Sequence, residues 1–290
     1  MEGIHVVMTL ICYPILWIMV GVFAASAKVK KGRAFGLEIP KEEWENDDVA
    51  LMIRRCRKML LWCGVILTFL MIPVLFIADE GLALTCWMIW LMLVIIVPIA
   101  LFGRYFNCMK RLKIAKGWEL TKEEHFWYGG FLYYNKDNPK VLVSLYPGSN
   151  SMNLARLPGK IVMGFCVLCI VAMPFFGLAV MKTDRTEMVV TVTENAVIAE
   201  HGHTEYAVVY DDVTEVALLR EMPDCSRSAG FESSRLLKGK FSVDGYGKCS
   251  VCVELRDEAI LVLKTADTTY LISFDTETEA LEIIDNIDMK

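Results

Sequence analysis

Four stretches of this 290-residue chain contain no lysine, arginine, aspartate or glutamate: residues 3–27, 59–78, 81–103 and 161–181. A soluble chain with 22% charged residues would scatter them throughout, so this segregation excludes an ordinary soluble protein. A hydrophobic content of 55% and a mean hydropathy of +0.42 agree. Each window is about as long as the roughly 20 apolar residues that a bilayer crossing requires. They read as four transmembrane helices, at residues 1–27, 59–78, 82–102 and 161–181. Phosphate loops, HExxH, a nucleophile–histidine–acid spelling and N-glycosylation sequons are also missing. Inside the charge-free windows there is no acidic or basic residue apart from His5 at the outer end, which argues against an ion site or a proton relay. Ala24-Ala25-Ser26-Ala27 would suit a processing site. Glu2 and the lack of a basic residue before the apolar run are wrong for a signal peptide, so the first window is expected to remain a span.

The charges that are present fix an orientation. Residues 28–58 hold nine Lys/Arg and six Asp/Glu, and residues 103–160 hold ten and four. Between the second and third spans only Asp79-Glu80-Gly81 intervenes. The positive-inside rule places both basic loops in the cytoplasm, and the acidic hairpin and everything after Met181 on the far side. That last region carries eleven basic against twenty-two acidic residues. Trp62, Trp87 and Trp118, with Lys28, Arg104, Lys160 and Lys182, mark the membrane boundaries. Each span also holds one proline, Pro14, Pro73, Pro98 or Pro174, which reads as the ordinary frequency of proline in membrane helices. Cys166 and Cys169 read as small packing residues, because a thiol in hydrocarbon is unreactive.

In the first loop, Asp47-Asp48 opens and Arg54-Arg55-Cys56-Arg57-Lys58 closes an expected helix, its basic end a topology determinant beside the second span. In the second, Thr121-Lys122-Glu123-Glu124 has the form of a capping box. Seven aromatic residues from Phe126 to Tyr146 are expected to pack on each other or on the headgroup layer, with a short strand from Val141 to Tyr146. The run Phe126-Trp127-Tyr128-Gly129-Gly130-Phe131-Leu132-Tyr133-Tyr134-Asn135, then Pro139, with Ser151-Met152-Asn153-Leu154-Ala155-Arg156 before the fourth span, resembles a short uncharacterised loop module. That module occurs in multi-pass membrane proteins of Gram-positive bacteria. The resemblance marks Trp127, Gly129, Gly130, Tyr133, Asn135 and Pro139 as motif residues and implies no activity. The residue before the proline is commonly aspartate in that family; here it is Asn138, and no metal role rests on it.

From Glu187 the apolar period becomes two. Residues 188–193, 196–200, 205–210 and 213–219 read as strands, residues 239–243 and 249–255 as a hairpin, and residues 259–263 as the partner of 269–274. Residues 276–289 form an acidic amphipathic helix with Ala280, Leu281, Ile283, Ile284 and Ile287 as its buried stripe. Seven or eight strands and one helix make a small all-β sandwich or barrel, capped at one end, over residues 184–290. The Tyr210-Asp211-Asp212-Val213 step, Gly230, the Leu236-Leu237-Lys238-Gly239-Lys240-Phe241 stretch and Ile272-Ser273-Phe274-Asp275 resemble the pleckstrin-homology-like (PH-like) domains of bacteria. The resemblance implies a binding or assembly module without catalytic apparatus.

The loop that binds phosphoinositides in better-known relatives is acidic here, Thr193-Glu194-Asn195. The basic concentration lies instead at Arg227, Arg235, Lys238, Lys240 and Lys248, a candidate site for an anionic lipid or peptide that also reads as protection of an exposed hairpin. His201, His203, Cys249 and Cys252 offer a zinc-like set, but cysteines three apart on a strand face opposite ways, so no metal is expected. The expectation is a non-enzymatic four-span membrane protein that displays a PH-like domain outside and an aromatic-rich module inside, and that serves in envelope sensing or complex assembly. Its expected partners are the lipid bilayer and a protein met through the external domain, with no cofactor and no nucleic acid; self-association is left open. The competing reading is a transporter-like or immunity-type protein whose helices handle a hydrophobic peptide or small substrate.

Overall fold

The computed structural model describes residues 4–77, 79–145 and 150–288. The chain divides into two compact units, residues 2–178 and 179–290. Helices α1 (Ile4–Ser26), α2 (Asp47–Met71) and α3 (Glu80–Ala115) pack together in the first unit, and α4 (Leu157–Arg185) begins there and continues into the second. All four are long and apolar enough to cross a membrane.

The helix and the span expected on either side of Lys58 are one 25-residue helix, because nothing there breaks it. Asn46 caps its start, accepting from the Asp48 N–H at 2.9 Å. The far end comes earlier than the charge-free window suggested. Pro73 lacks an N–H and crowds the preceding turn, so α2 stops at Met71 and Ile72–Phe76 winds as a 3-10 helix. Pro14, Pro98 and Pro174 do lie inside helices. Helix α3 has 36 residues, roughly 54 Å of rise, longer than the roughly 30 Å of a hydrocarbon core. It ends on left-handed Gly117 (φ 72°), where the Trp118 N–H reaches back to the Lys113 carbonyl at 2.9 Å.

Between these helices two aromatic side chains reach backbone carbonyls. Trp90 Nε1 donates to Leu67 at 2.7 Å, and the Tyr13 hydroxyl donates to Thr68 at 3.1 Å. Helix α4 behaves differently, with only Gly159 and Gly177 buried. A side chain at Gly177 would place Cβ 2.6 Å from Thr85 Cα, so glycine sets how closely α4 approaches α3. Ile161, Phe165, Leu168 and Phe175 are exposed, a surface suited to lipid. Cys166 and Cys169, expected to pack, are exposed on the same helix.

The two polar loops, which read in the sequence as separate segments, are joined. The first carries the two-residue strands β1 (Arg33–Ala34) and β2 (Leu37–Glu38). The second carries β3 (Trp127–Tyr128), β4 (Leu132–Tyr133), β5 (Leu142–Ser144) and β6 (Asn150–Met152). The expected strand from Val141 is thus shorter, and Tyr146, its expected end, lies outside the described residues. Lys116 at the end of α3 pairs with Asp48 at the start of α2 at 2.7 Å, and Arg33 Nη1 donates to the Leu145 carbonyl at 3.1 Å.

In the second unit β7 (Val189–Val192), β8 (Ala196–His201) and β9 (Thr204–Val209) form an antiparallel three-stranded sheet. Six more strands follow: β10 (Val213–Leu219), β11 (Cys225–Glu232), β12 (Leu236–Val243), β13 (Gly247–Glu254), β14 (Ala259–Thr265) and β15 (Thr269–Phe274). Their order is β10-β14-β15-β13-β12-β11, with only β13 and β15 parallel. The final helix, α5 (Glu277–Asp288), packs on β10, β14 and β15. One core gathers Val197, Val208, Leu261, Ile272, Phe274 and Ile283; another gathers Phe241, Val251, Val253, Ile260, Val262 and Leu271. Cys252 belongs to the first and Cys249 to the second, the opposite-face placement that alternation demands. On α5 Ala280 and Ile283 are buried, but Leu281 is exposed, since it stands one residue round the helix from the i, i+3 stripe. Met289, the expected helix end, lies outside the described residues.

The unit has nine strands among its described residues, more than alternation suggested. The missed one is β11, Cys-Ser-Arg-Ser-Ala-Gly-Phe-Glu, which lacks an apolar period because it is a largely exposed edge strand. Gly230 (φ 133°) and Gly239 (φ 126°) face each other across β11 and β12 beside a bulge. A Cβ on Gly239 would lie 2.3 Å from the Ala229 carbonyl oxygen. Gly239→Ala is therefore expected to cost on the order of 3 kcal/mol, read as a shift in the denaturation midpoint.

Candidate functional site

The five basic residues singled out in the C-terminal unit do not form one patch. Arg227 lies near Glu232, 3.9 Å apart, and pairs across the ladder with Phe241. Arg235, just before β12, binds Glu254 Oε2 through Nε at 3.3 Å and Nη2 at 3.1 Å. Lys238 turns inward, and its ammonium donates to the His201 carbonyl at 2.7 Å and meets His201 Nδ1 at 3.2 Å. Only Lys240 and Lys248 are exposed neighbours on one face, two ladder positions apart. The sequence shows where the cations cluster but not which carboxylates and carbonyls already hold them.

What the inward-facing members build is a clamp on the segment leaving α4. His201, 1% exposed, has Nε2 3.0 Å from the Thr186 carbonyl, so Nε2 carries the proton and Nδ1 accepts from Lys238. Two residues on, the Met188 N–H donates to Glu254 Oε1 at 3.1 Å, the carboxylate whose other oxygen binds Arg235. The Cys252 thiol approaches Met188 Sδ at 3.3 Å, and burial pushes its pKa up to about 11, so it is a packing group rather than a nucleophile. Glu254 N–H donates to Ser273 Oγ at 2.8 Å, and that hydroxyl donates to Asp257. Among the described residues, no three His, Cys, Asp or Glu side chains are arranged to hold a metal.

Burial first, and the Lys238 charge second, hold the His201 pKa below its ordinary 6.5. Between the lowered and the ordinary value the unfolded chain binds a proton that the folded unit refuses. Stability is thus full above about pH 6.5 and declines as pH falls below it. Asp257 works in the opposite sense at lower pH, since burial raises its pKa above 3.8. His201→Gln is expected to flatten the decline between about pH 7.5 and about pH 5.5, measured by denaturation of the purified protein. An unchanged slope would assign the dependence to other groups.

The second concentration of polar contacts is the loop module of the first unit. Thr121 and Glu124 form the expected capping box: Thr121 N–H donates to Glu124 Oε2 at 3.0 Å and Glu124 N–H to Thr121 Oγ1 at 3.3 Å. Glu124 also pairs with Lys113 of α3 at 2.7 Å and accepts from the Glu38 N–H of β2 at 2.6 Å. The Tyr133 hydroxyl donates to Glu123 at 2.9 Å and receives the side-chain amides of Asn135 at 3.2 Å and Asn138 at 3.1 Å. Asn153 is fully buried; its amide donates to the carbonyls of Asn135 at 2.8 Å and Asn138 at 3.0 Å, and its oxygen accepts from the N–H groups of Asn135 and Ala155. Arg156 Nε adds a bond to the Asn138 carbonyl at 3.0 Å.

Every motif residue now has a place. Trp127 and Tyr133 are buried against each other with ring centroids 5.4 Å apart, and Phe126 packs edge-on to Tyr133 at 6.2 Å. Gly129 (φ 61°) and Gly130 (φ 78°) make the left-handed turn, and a Cβ on Gly130 would meet Phe106 at 2.9 Å. Pro139 is exposed beside Asn138, whose side-chain oxygen accepts from the Lys140 N–H at 3.0 Å. Tyr128, Phe131 and Tyr134 are exposed, so the aromatic run splits into a packed half and an open half. Lys113 is the member that neither the motif nor the capping box singles out. The buried lysine could not be told from the other cations of its loop.

Residues 188–281 match the protein family described as Bacterial PH domain. The chain has no significant match among curated proteins or solved structures. The C-terminal unit is PH-like, and four membrane-capable helices accompany it.

Proposed function

We propose that the protein is a non-enzymatic, membrane-embedded assembly component that presents its PH-type domain, a small capped sandwich, on the outer face of the bacterial cell membrane. The observation that carries this reading is the direct join between the last apolar helix and the domain. His201 and Glu254 bind Thr186 and Met188, within three residues of the end of α4, so the segment that leaves the helix is itself part of the domain. The orientation itself rests on the basic loops and the positive-inside rule.

The partner is a protein, met through the domain. Arg227, Arg235 and Lys238 are already engaged by Glu232, Glu254 and the His201 carbonyl, which disfavours a single anion site. Strand β11, by contrast, is an edge with Ser226 to Gly230 exposed, the form that accepts an added strand. Envelope sensing or complex assembly follows from such a contact. Complementation of a null strain with a chain that stops after Arg185 tests this reading. Loss of function is expected; full function would move the activity to the helices and favour the transporter-like or immunity-type reading.

A further inference from the structure

The loop after α1 folds into a cleft that the reading above does not use. The cleft has a volume of about 710 Å³ and lies between the last turn of α1 and the segment carrying β1 and β2. Lys28, Lys30, Lys31, Arg33 and Lys41 line it, with Glu38 the single carboxylate. Arg33 already engages Glu38, and among the described residues none of the four lysines forms an ion pair. Four ammonium groups around one cavity repel each other unless an anion enters.

The walls are preformed. Lys31 (φ 51°) and Gly32 (φ 77°) turn the chain in the left-handed region, and the Ile39 N–H closes back on the Gly32 carbonyl at 2.9 Å. The Trp44 ring covers Gly32 so closely that a Cβ there would stand 3.1 Å from it, and Trp44 Nε1 donates to the Ile39 carbonyl at 3.2 Å. The opposite wall is apolar: Val22 and Ala25 line the cleft, and with Ile18 they continue at i, i+4, i+7 as an exposed stripe along α1. A tryptophan at this depth is the usual companion of a headgroup layer.

We infer that this cleft binds one anionic phospholipid, its phosphate among the lysines and an acyl chain along Ile18, Val22 and Ala25. A free anion would leave the apolar stripe uncovered, and a soluble peptide could not follow α1 into the bilayer. The site differs from a diffuse basic surface such as Arg54, Arg55 and Arg57, which are exposed along α2.

The test uses the full chain in a neutral detergent, where no leaflet potential acts. Phosphatidylglycerol is titrated in, with phosphatidylcholine as the uncharged comparison, and bound lipid is counted by native mass spectrometry. One phosphatidylglycerol per chain is expected, retained at least about tenfold better than phosphatidylcholine. The triple variant Lys30→Gln, Lys31→Gln, Lys41→Gln is expected to lose that preference, while Arg54→Gln, Arg55→Gln, Arg57→Gln keeps it. Equal losses in the two triple variants, or no preference in the parent, would overturn the proposal. So would displacement of the lipid by millimolar inorganic phosphate alone, which would make the site one for a free anion.

Discussion

Replacing Glu124 by alanine is expected to cost roughly 3–5 kcal/mol, the largest effect of any single side chain in the loop module. Lys113 and Glu124 are 1% and 2% exposed, so the change leaves a buried ammonium without its counter-charge. It also strips an acceptor from the N–H groups of Thr121 and Glu38. Glu124→Gln should be milder, since an amide oxygen still accepts one of those bonds. The pair Lys113→Met with Glu124→Leu should recover much of the loss, because apolar groups of similar volume need no desolvation of charge. Thermal unfolding of the purified chain in detergent reads all three. A loss below about 1 kcal/mol for alanine would mean that Lys113 reaches water, and that the two loops are not welded through this carboxylate.

Asn153→Ala should follow closely, at on the order of 4 kcal/mol, because the amide satisfies buried backbone groups on both sides of the β4 to β5 turn. Asn153→Asp is the sharper test. It keeps the acceptor but points a carboxylate oxygen at the Asn135 and Asn138 carbonyls, so it should be at least as damaging as alanine. Asn138→Asp, by contrast, should cost less than about 1 kcal/mol. Its oxygen still accepts from the Lys140 N–H, and the Tyr133 hydroxyl can turn to donate to it. Position 138 is where the resembled module commonly has aspartate, so the contrast with 153 separates a tolerant turn position from a hub. Equal losses at the two positions would refute that division.

Where charge or period is strong, the sequence alone places the elements. The charge-free windows locate four helices, and apolar runs bounded by turn residues locate β10 and β15 to the residue. Boundaries set by something other than composition escape it. The extension of α3 to Ala115 depends on Lys113 finding Glu124 across the loop, a contact between residues 11 apart that no period announces. Strand β11 escapes because an exposed edge imposes no alternation. Site residues divide the same way. The Trp127, Gly129 and Gly130 pattern is legible because tight turns and buried indoles demand those residue types. Lys238 reads as a surface cation until the parity of its strand, with Cys252 opposite, turns it toward His201.

The claim on which everything else rests is the arrangement across the membrane: loop module inside, PH-like domain outside. Reporter fusions made after Lys116 and after Met181 test it most directly, with alkaline phosphatase active only outside the cytoplasm and a green fluorescent protein that matures only within it. Fluorescence after Lys116 and phosphatase activity after Met181 are the predicted results. The reverse pair, or fluorescence at both positions, would contradict the account.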